Sequence, residues 1–257
     1  MNVNAADRVL RIFEAFADRG APMTLSELAR LLDIPVSTCF NLMRTLEARG
    51  YLYEVAGRKS FYPTARWLVK AQTIARHDPV REQLEPFLQS LRDETGETVI
   101  LGKRLGDKVV YLHILEPEQS IRYTAAVGDL KPMHSTSAGR ALLSAMPAPE
   151  RERMIAEMRL DRVTAATITQ RPRLVRAIEE GTRRGWFASR GENVNDVMGI
   201  AAFVNIGGDT FTVTVAGPIH RMDPKVERHA KRLVATCKAI ARGDPASEVG
   251  HSKGHAA

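Results

Sequence analysis

Val9, Ile12, Phe13 and Phe16 recur at spacings of three and four, which places them on one face of a helix over residues 5–18. Thr24-Leu25-Ser26-Glu27 then has the form of a capping box, with the Thr24 hydroxyl accepting from the Glu27 backbone while the Glu27 carboxylate reaches back. Leu25, Leu28 and Leu32 give this second helix its own apolar stripe, and Asp33-Ile34 makes a short turn. Pro35 suits the first position of a third helix, where its missing N–H would be unpaired in any residue. That helix runs to Arg49, and Gly50 supplies the left-handed residue that stops it. Residues 51–55 and 60–62, rich in aromatic and β-branched side chains, predict a hairpin turning at Ala56-Gly57-Arg58-Lys59 and ending at Pro63.

Helix, helix, turn, helix and hairpin is the order of a winged helix-turn-helix, expected over residues 1–63. Trp67, Leu68, Ala71 and Ile74 predict a linking helix within 64–78. A second domain is expected over 79–243, opening with the helical stripe Val80, Leu84, Phe87, Leu88 and Leu91. Strands are predicted at 98–105, 108–115, 120–124, 186–189, 200–205 and 210–217. Gly106-Asp107 joins the first two as a tight hairpin turn. Helices are predicted at 137–146, 149–159, 172–184 and 223–242. Hairpin-linked strands with segregated helices predict an α+β domain with a mostly antiparallel sheet. The polar, small-residue tail 244–257 is expected to be disordered.

Lys plus Arg exceed Asp plus Glu by 37 to 30, a net charge of +7 that favours polyanionic partners. The two cysteines, Cys39 and Cys237, stand far apart and offer neither a disulfide framework nor metal-ligand spacing. No metal or cofactor is expected. The first twenty residues lack the apolar run of a signal peptide, and no stretch is apolar enough for a membrane span, so a cytoplasmic protein is expected.

Projected as a helix, the third segment puts Cys39, Leu42, Met43 and Leu46 on one side and Ser37, Asn41, Arg44 and Thr45 on the other, with Thr38 and Phe40 at the edges. Such a polar face fits a DNA major groove, because Asn pairs with adenine N6 and N7 and Arg with guanine O6 and N7. Arg58 and Lys59 at the wing tip suit phosphate or minor-groove contacts.

The chain resembles the IclR family of regulators through Arg8-Val9-Leu10, Thr24 to Ala29, Pro35-Val36-Ser37-Thr38, Thr45-Leu46 and Gly50-Tyr51-Leu52. In the second domain the likeness lies in His134-Ser135-Thr136-Ser137-Ala138-Gly139-Arg140, Gly185-Trp186, Glu192, Ile200-Ala201-Ala202 and Ala216-Gly217-Pro218. The resemblance implies a GAF-like effector domain, operator DNA as partner, a small organic acid as ligand, and homodimers that pair into tetramers. It implies no catalysis. The chain departs from its relatives at Val36 and Asn41, where basic residues are frequent. It also departs at Ser189, Gly191 and Gly199, where acids and a Cys are frequent, and at Thr214 and Ala216.

Ser135-Thr136-Ser137-Ala138-Gly139 opens a helix whose free N–H groups and dipole favour an anion. On strand 210–217, Phe211, Val213 and Val215 face one way, while Thr210, Thr212, Thr214 and Ala216 face the other as a small, mildly polar pocket floor. Placed on the family pattern, Tyr123, Lys131, Ser189, Glu192 and Gly199 border the same cavity. With acids and a Cys replaced by Ser and Gly, a bulkier acid, such as an aromatic one, is expected. Two alternatives stay open. One is a constitutive DNA-binding protein whose second domain only assembles it. The other is an enzyme using His134, Ser135, Ser137 and Glu192, for which the chain has no nucleophile elbow or metal-ligand set.

Overall fold

A computed structural model describes residues 4–57 and 59–243, so Arg58 and the tail 244–257 lie outside the described residues. The chain divides into two compact units, Met1–Pro79 and Val80–Ala257.

The first unit contains α1 (Asn4–Arg19), β1 (Met23–Thr24), α2 (Leu25–Leu32), α3 (Val36–Ala48), β2 (Leu52–Val55), β3 (Ser60–Pro63) and α4 (Arg66–Arg76). The capping box forms as the sequence predicts. The Thr24 N–H donates to Glu27 Oε2 at 2.8 Å, and the Glu27 N–H to Thr24 Oγ1 at 3.3 Å. The backbone hydrogen bond from Thr24, then the Arg19 guanidinium, hold the Glu27 carboxyl down at about 2. Asp33 ends α2 in the left-handed region (φ 53°), and the Ile34 N–H returns to the Ala29 carbonyl at 3.0 Å, making the turn into α3. Pro35 stands one place earlier than expected, as the N-cap rather than the first helical residue. Gly50 at φ 73° lets the Tyr51 N–H reach the Leu46 carbonyl at 2.8 Å, closing α3. Strand β3 pairs antiparallel with both β1 and β2, and Ile12, Phe16, Leu28, Cys39, Met43, Leu46 and Leu52 form the core.

The second unit contains α5 (Pro79–Thr95), β4 (Thr98–Leu105), β5 (Lys108–Leu115), β6 (Leu130–Pro132), α6 (Ser137–Ala145), α7 (Ala148–Glu157), α8 (Arg171–Arg184), β7 (Phe187–Arg190), β8 (Val197–Ile206), β9 (Asp209–Pro218), α9 (Ile219–Met222), a 3-10 turn (Asp223–Lys225) and α10 (Val226–Arg242). The strands form one antiparallel sheet in the order β6-β5-β4-β9-β8-β7. On one face Val99, Leu101, Phe211, Val213 and Val215 pack with Leu84, Leu88 and Leu91 of α5 and Leu233 and Ile240 of α10. On the other, Ile100, Tyr111, Ala201 and Ala216 pack with Ala138, Ala141 and Leu142 of α6 and Leu174 and Ile178 of α8. The fold is therefore α+β.

One expected strand is absent. Residues 120–124 form a loop, and the edge strand is β6 instead. Side chains satisfy the carbonyls that a ladder would have used: Thr98 Oγ1 donates to the Tyr123 carbonyl at 2.6 Å and the Arg221 guanidinium to that of Ile121 at 3.0 Å.

Candidate functional site

Amphipathicity decides how α3 sits. Cys39, Met43 and Leu46 are buried against the rest of the unit, while Val36, Ser37, Phe40, Asn41, Arg44 and Thr45 are exposed and Thr38 is half-buried. The predicted reading residues therefore share one solvent-facing stripe. Two of them have local partners. Arg44 pairs with Glu47 at 2.7 Å and lies over the Phe40 ring at 5.6 Å, and the Thr45 hydroxyl donates to the Asn41 carbonyl at 2.8 Å. An exposed ion pair of this kind is worth at most about 1 kcal/mol, so Arg44 exchanges Glu47 for a nucleic-acid acceptor readily. Lys59 is exposed in the wing turn.

In the second unit, register aligns much of the predicted ligand cluster. Ser189 of β7 pairs with Gly199 of β8, which pairs with Ala216 of β9, which pairs with Thr98 of β4. The N-terminus of α6 lies over this row. The Ser137 N–H donates to Ser189 Oγ at 3.2 Å, and a Cβ on Gly199 would stand 2.9 Å from Ser137 Oγ and 3.9 Å from Thr214 Cγ2. Small side chains thus converge from α6, β7, β8 and β9. Ser137, Ala138, Thr214 and Ala216 are all buried, and the Thr214 hydroxyl has no hydrogen-bond partner among the described residues. An unsatisfied buried hydroxyl costs about 1–3 kcal/mol, so an acceptor or donor brought there by a ligand is stabilised.

Tyr123, in the loop before β6, belongs with Tyr111, Ala138 and Ala216 to one buried cluster. Burial first, then Tyr123, push the Tyr111 phenol well above its usual range, so it stays a neutral donor. The loop is held by Arg221, whose guanidinium meets the buried Glu97 carboxylate at 2.5 and 2.7 Å while also bonding Ile121. Lys131 sits 5.9 Å from the centre of the Tyr111 ring and pairs with Asp129 at 3.0 Å.

Two predicted site residues have other duties. Gly139 is packed so tightly that a Cβ would overlap the backbone of Met133, and its N–H goes to the N-cap Thr136 hydroxyl at 3.1 Å. It is a packing glycine, and of the expected N–H cradle the Ser137 N–H is likewise already engaged. Glu192 is buried with both carboxylate oxygens on Arg140, one at 2.9 Å, and Arg140 also holds the carbonyls of His134 at 3.1 Å and Ala188 at 2.5 Å. Glu192 anchors β7 to α6 and presents no free carboxylate. His134 gives Nε2–H to the Asp161 carbonyl at 3.0 Å. The sequence reading missed Arg140, although a lone Arg in the run Ser137-Ala138-Gly139-Arg140-Ala141-Leu142-Leu143 signals a buried acidic partner. It also missed Tyr111.

Among the described residues, no cluster of His, Cys, Asp and Glu could hold a metal ion, and no helix is long and apolar enough to cross a membrane.

A winged helix-turn-helix with an exposed reading face, followed by a separate α+β unit, defines a DNA-binding transcriptional regulator. Residues 5–56 match the IclR helix-turn-helix domain, and residues 72–243 match the family described as bacterial transcriptional regulator IclR C-terminal. The chain belongs to the IclR family. It is 28% identical over 244 residues to the transcriptional regulator BhcR of Paracoccus denitrificans, covering 94% of this chain and 87% of that one. It is 28% identical over 222 residues to the transcriptional repressor AllR of Klebsiella pneumoniae, covering 86% and 82%. An IclR homologue from Microbacterium hydrocarbonoxydans, solved in complex with 4-hydroxybenzoate, superposes with a TM-score of 0.73 at 21% identity, covering 97% of this chain and 100% of that one. The relatives are named as regulators and repressors, in keeping with a protein that is not an enzyme.

Proposed function

We propose that this regulator binds a specific operator as at least a dimer, in the cytoplasm, and that a small organic acid, aromatic in character, shifts that binding from the second unit. The observation that carries the ligand reading is the buried Thr214 hydroxyl, unpartnered among the described residues, beside Ser137, Ser189 and Gly199. The nearby charges are already compensated, Glu192 by Arg140 and Lys131 by Asp129. Neutral hydroxyl donors and a tyrosine pair suit a flat monoacid, and the relative bound to 4-hydroxybenzoate supports the same class. The Ala138 N–H at the start of α6 is the donor left for its carboxylate, and Lys131 joins only by leaving Asp129.

Self-association is supported by α4, which buries no residue and leaves Leu68, Val69 and Ile74 exposed, Ile74 at 74%. Phe16 is buried and lies 6.0 Å from Tyr62 between ring centres, while the half-buried Phe13 and Trp67 meet at 4.1 Å. Selection from random duplexes is expected to recover a pseudo-palindrome with half-sites separated by whole turns, about 10 base pairs each. A single half-site bound at full affinity by a 28.5 kDa monomer would contradict the proposal.

A further inference from the structure

The exposed face of α3 is not uniformly polar. Val36 is 52% exposed and Phe40 47% exposed, one helical turn apart and in line with Arg44. Single exposed apolar side chains are ordinary. Here two stand together, on the stripe that also carries Ser37 and Asn41, opposite a face that is fully used in the core. The Arg44 guanidinium lies over the Phe40 ring at 5.6 Å, so the apolar pair is bordered by a cation suited to the DNA backbone.

The major groove offers one apolar group at base level, the C5-methyl of thymine, and Phe and aliphatic side chains meet it. Resting on the assignment of α3 as the reading helix, we infer that Val36 and Phe40 are specificity-determining residues that read thymine methyl groups. Asn41, on the same exposed face, supplies the adenine hydrogen bonds. Each half-site then contains thymines at positions fixed by the Val36-to-Phe40 spacing. The surrounding charge fits DNA as the occupant: Arg44, Arg49 and Lys59 are exposed cations around this face.

The probe is the duplex recovered by selection, compared with the same duplex carrying deoxyuridine for thymidine, which removes the methyl and leaves base pairing unchanged. Burying one methyl is worth about a fourfold change in affinity. Wild type is expected to bind the deoxyuridine duplex about fourfold more weakly per contacted methyl. In Phe40→Ser and in Val36→Ser that discrimination falls by the share of one methyl, and in the double variant it disappears, while the preference for adenine opposite Asn41 remains. Both sites are exposed, so folding is not at risk. Equal binding of the two duplexes by wild type overturns the inference, as does discrimination that persists undiminished in the double variant. A changed mass in Phe40→Ser with an unchanged thymine-to-uracil ratio assigns the face to self-contact and also overturns it. Failure of selection to yield any consensus rejects the reading helix itself, a different result from a consensus blind to the methyls.

Discussion

Arg140→Met is expected to destabilise the second unit by about 3–5 kcal/mol, because it strands the Glu192 carboxylate in the interior without its cation. Arg140 is buried and ties Glu192 and the carbonyls of His134 and Ala188 to the start of α6. A loss of that size is a large share of the roughly 5–15 kcal/mol that keeps a domain folded. Glu192→Gln added to Arg140→Met should recover part of it, since the buried charge is then gone. The chain has two tryptophans, and Trp186 lies in the core of the second unit, so its emission in a Trp67→Phe background follows urea unfolding of that unit. A transition within about 1 kcal/mol of the parent would show that the pair adds nothing.

Asn41→Ala is expected to cost about 1–3 kcal/mol on the selected duplex and to relax preference at one base pair, with little loss on random DNA. Alanine is the better helix former and Asn41 is exposed, so the loss cannot come from unfolding α3. Footprinting titrations of both proteins on the selected and a scrambled duplex measure it. Unchanged affinity and preference would remove Asn41 from the reading set.

What the sequence revealed best was local. The Thr24–Glu27 box, the Gly50 stop and the two faces of α3 depend on residues within a turn or two of each other, and all appear in the structure. The alternation of β9 also held, because Phe211, Val213 and Val215 fill one core while Ala216 belongs to the other, with Ala138 and Ala141 of α6. The failures depended on distant partners. Residues 120–124 have strand-like composition, but Thr98 and Arg221 take their carbonyls. Glu192 looked like a ligand residue until Arg140, 52 positions earlier, occupied it. Gly139 looked like room for a ligand and proved to be room for Met133.

The central claim is that an organic acid held under α6 changes how the reading helices engage DNA. Fluorescence anisotropy on the selected duplex, with and without aliphatic and aromatic monocarboxylates including 4-hydroxybenzoate, tests it most directly. In wild type at least one acid should shift the dissociation constant tenfold or more, which requires only about 1.4 kcal/mol of coupling. Ala138 is buried at the start of α6, so Ala138→Leu fills the site at a cost of about 1–3 kcal/mol of stability. It should bind the duplex like wild type and ignore the acid. A dissociation constant that no acid moves, or one that moves equally in Ala138→Leu, would contradict the account.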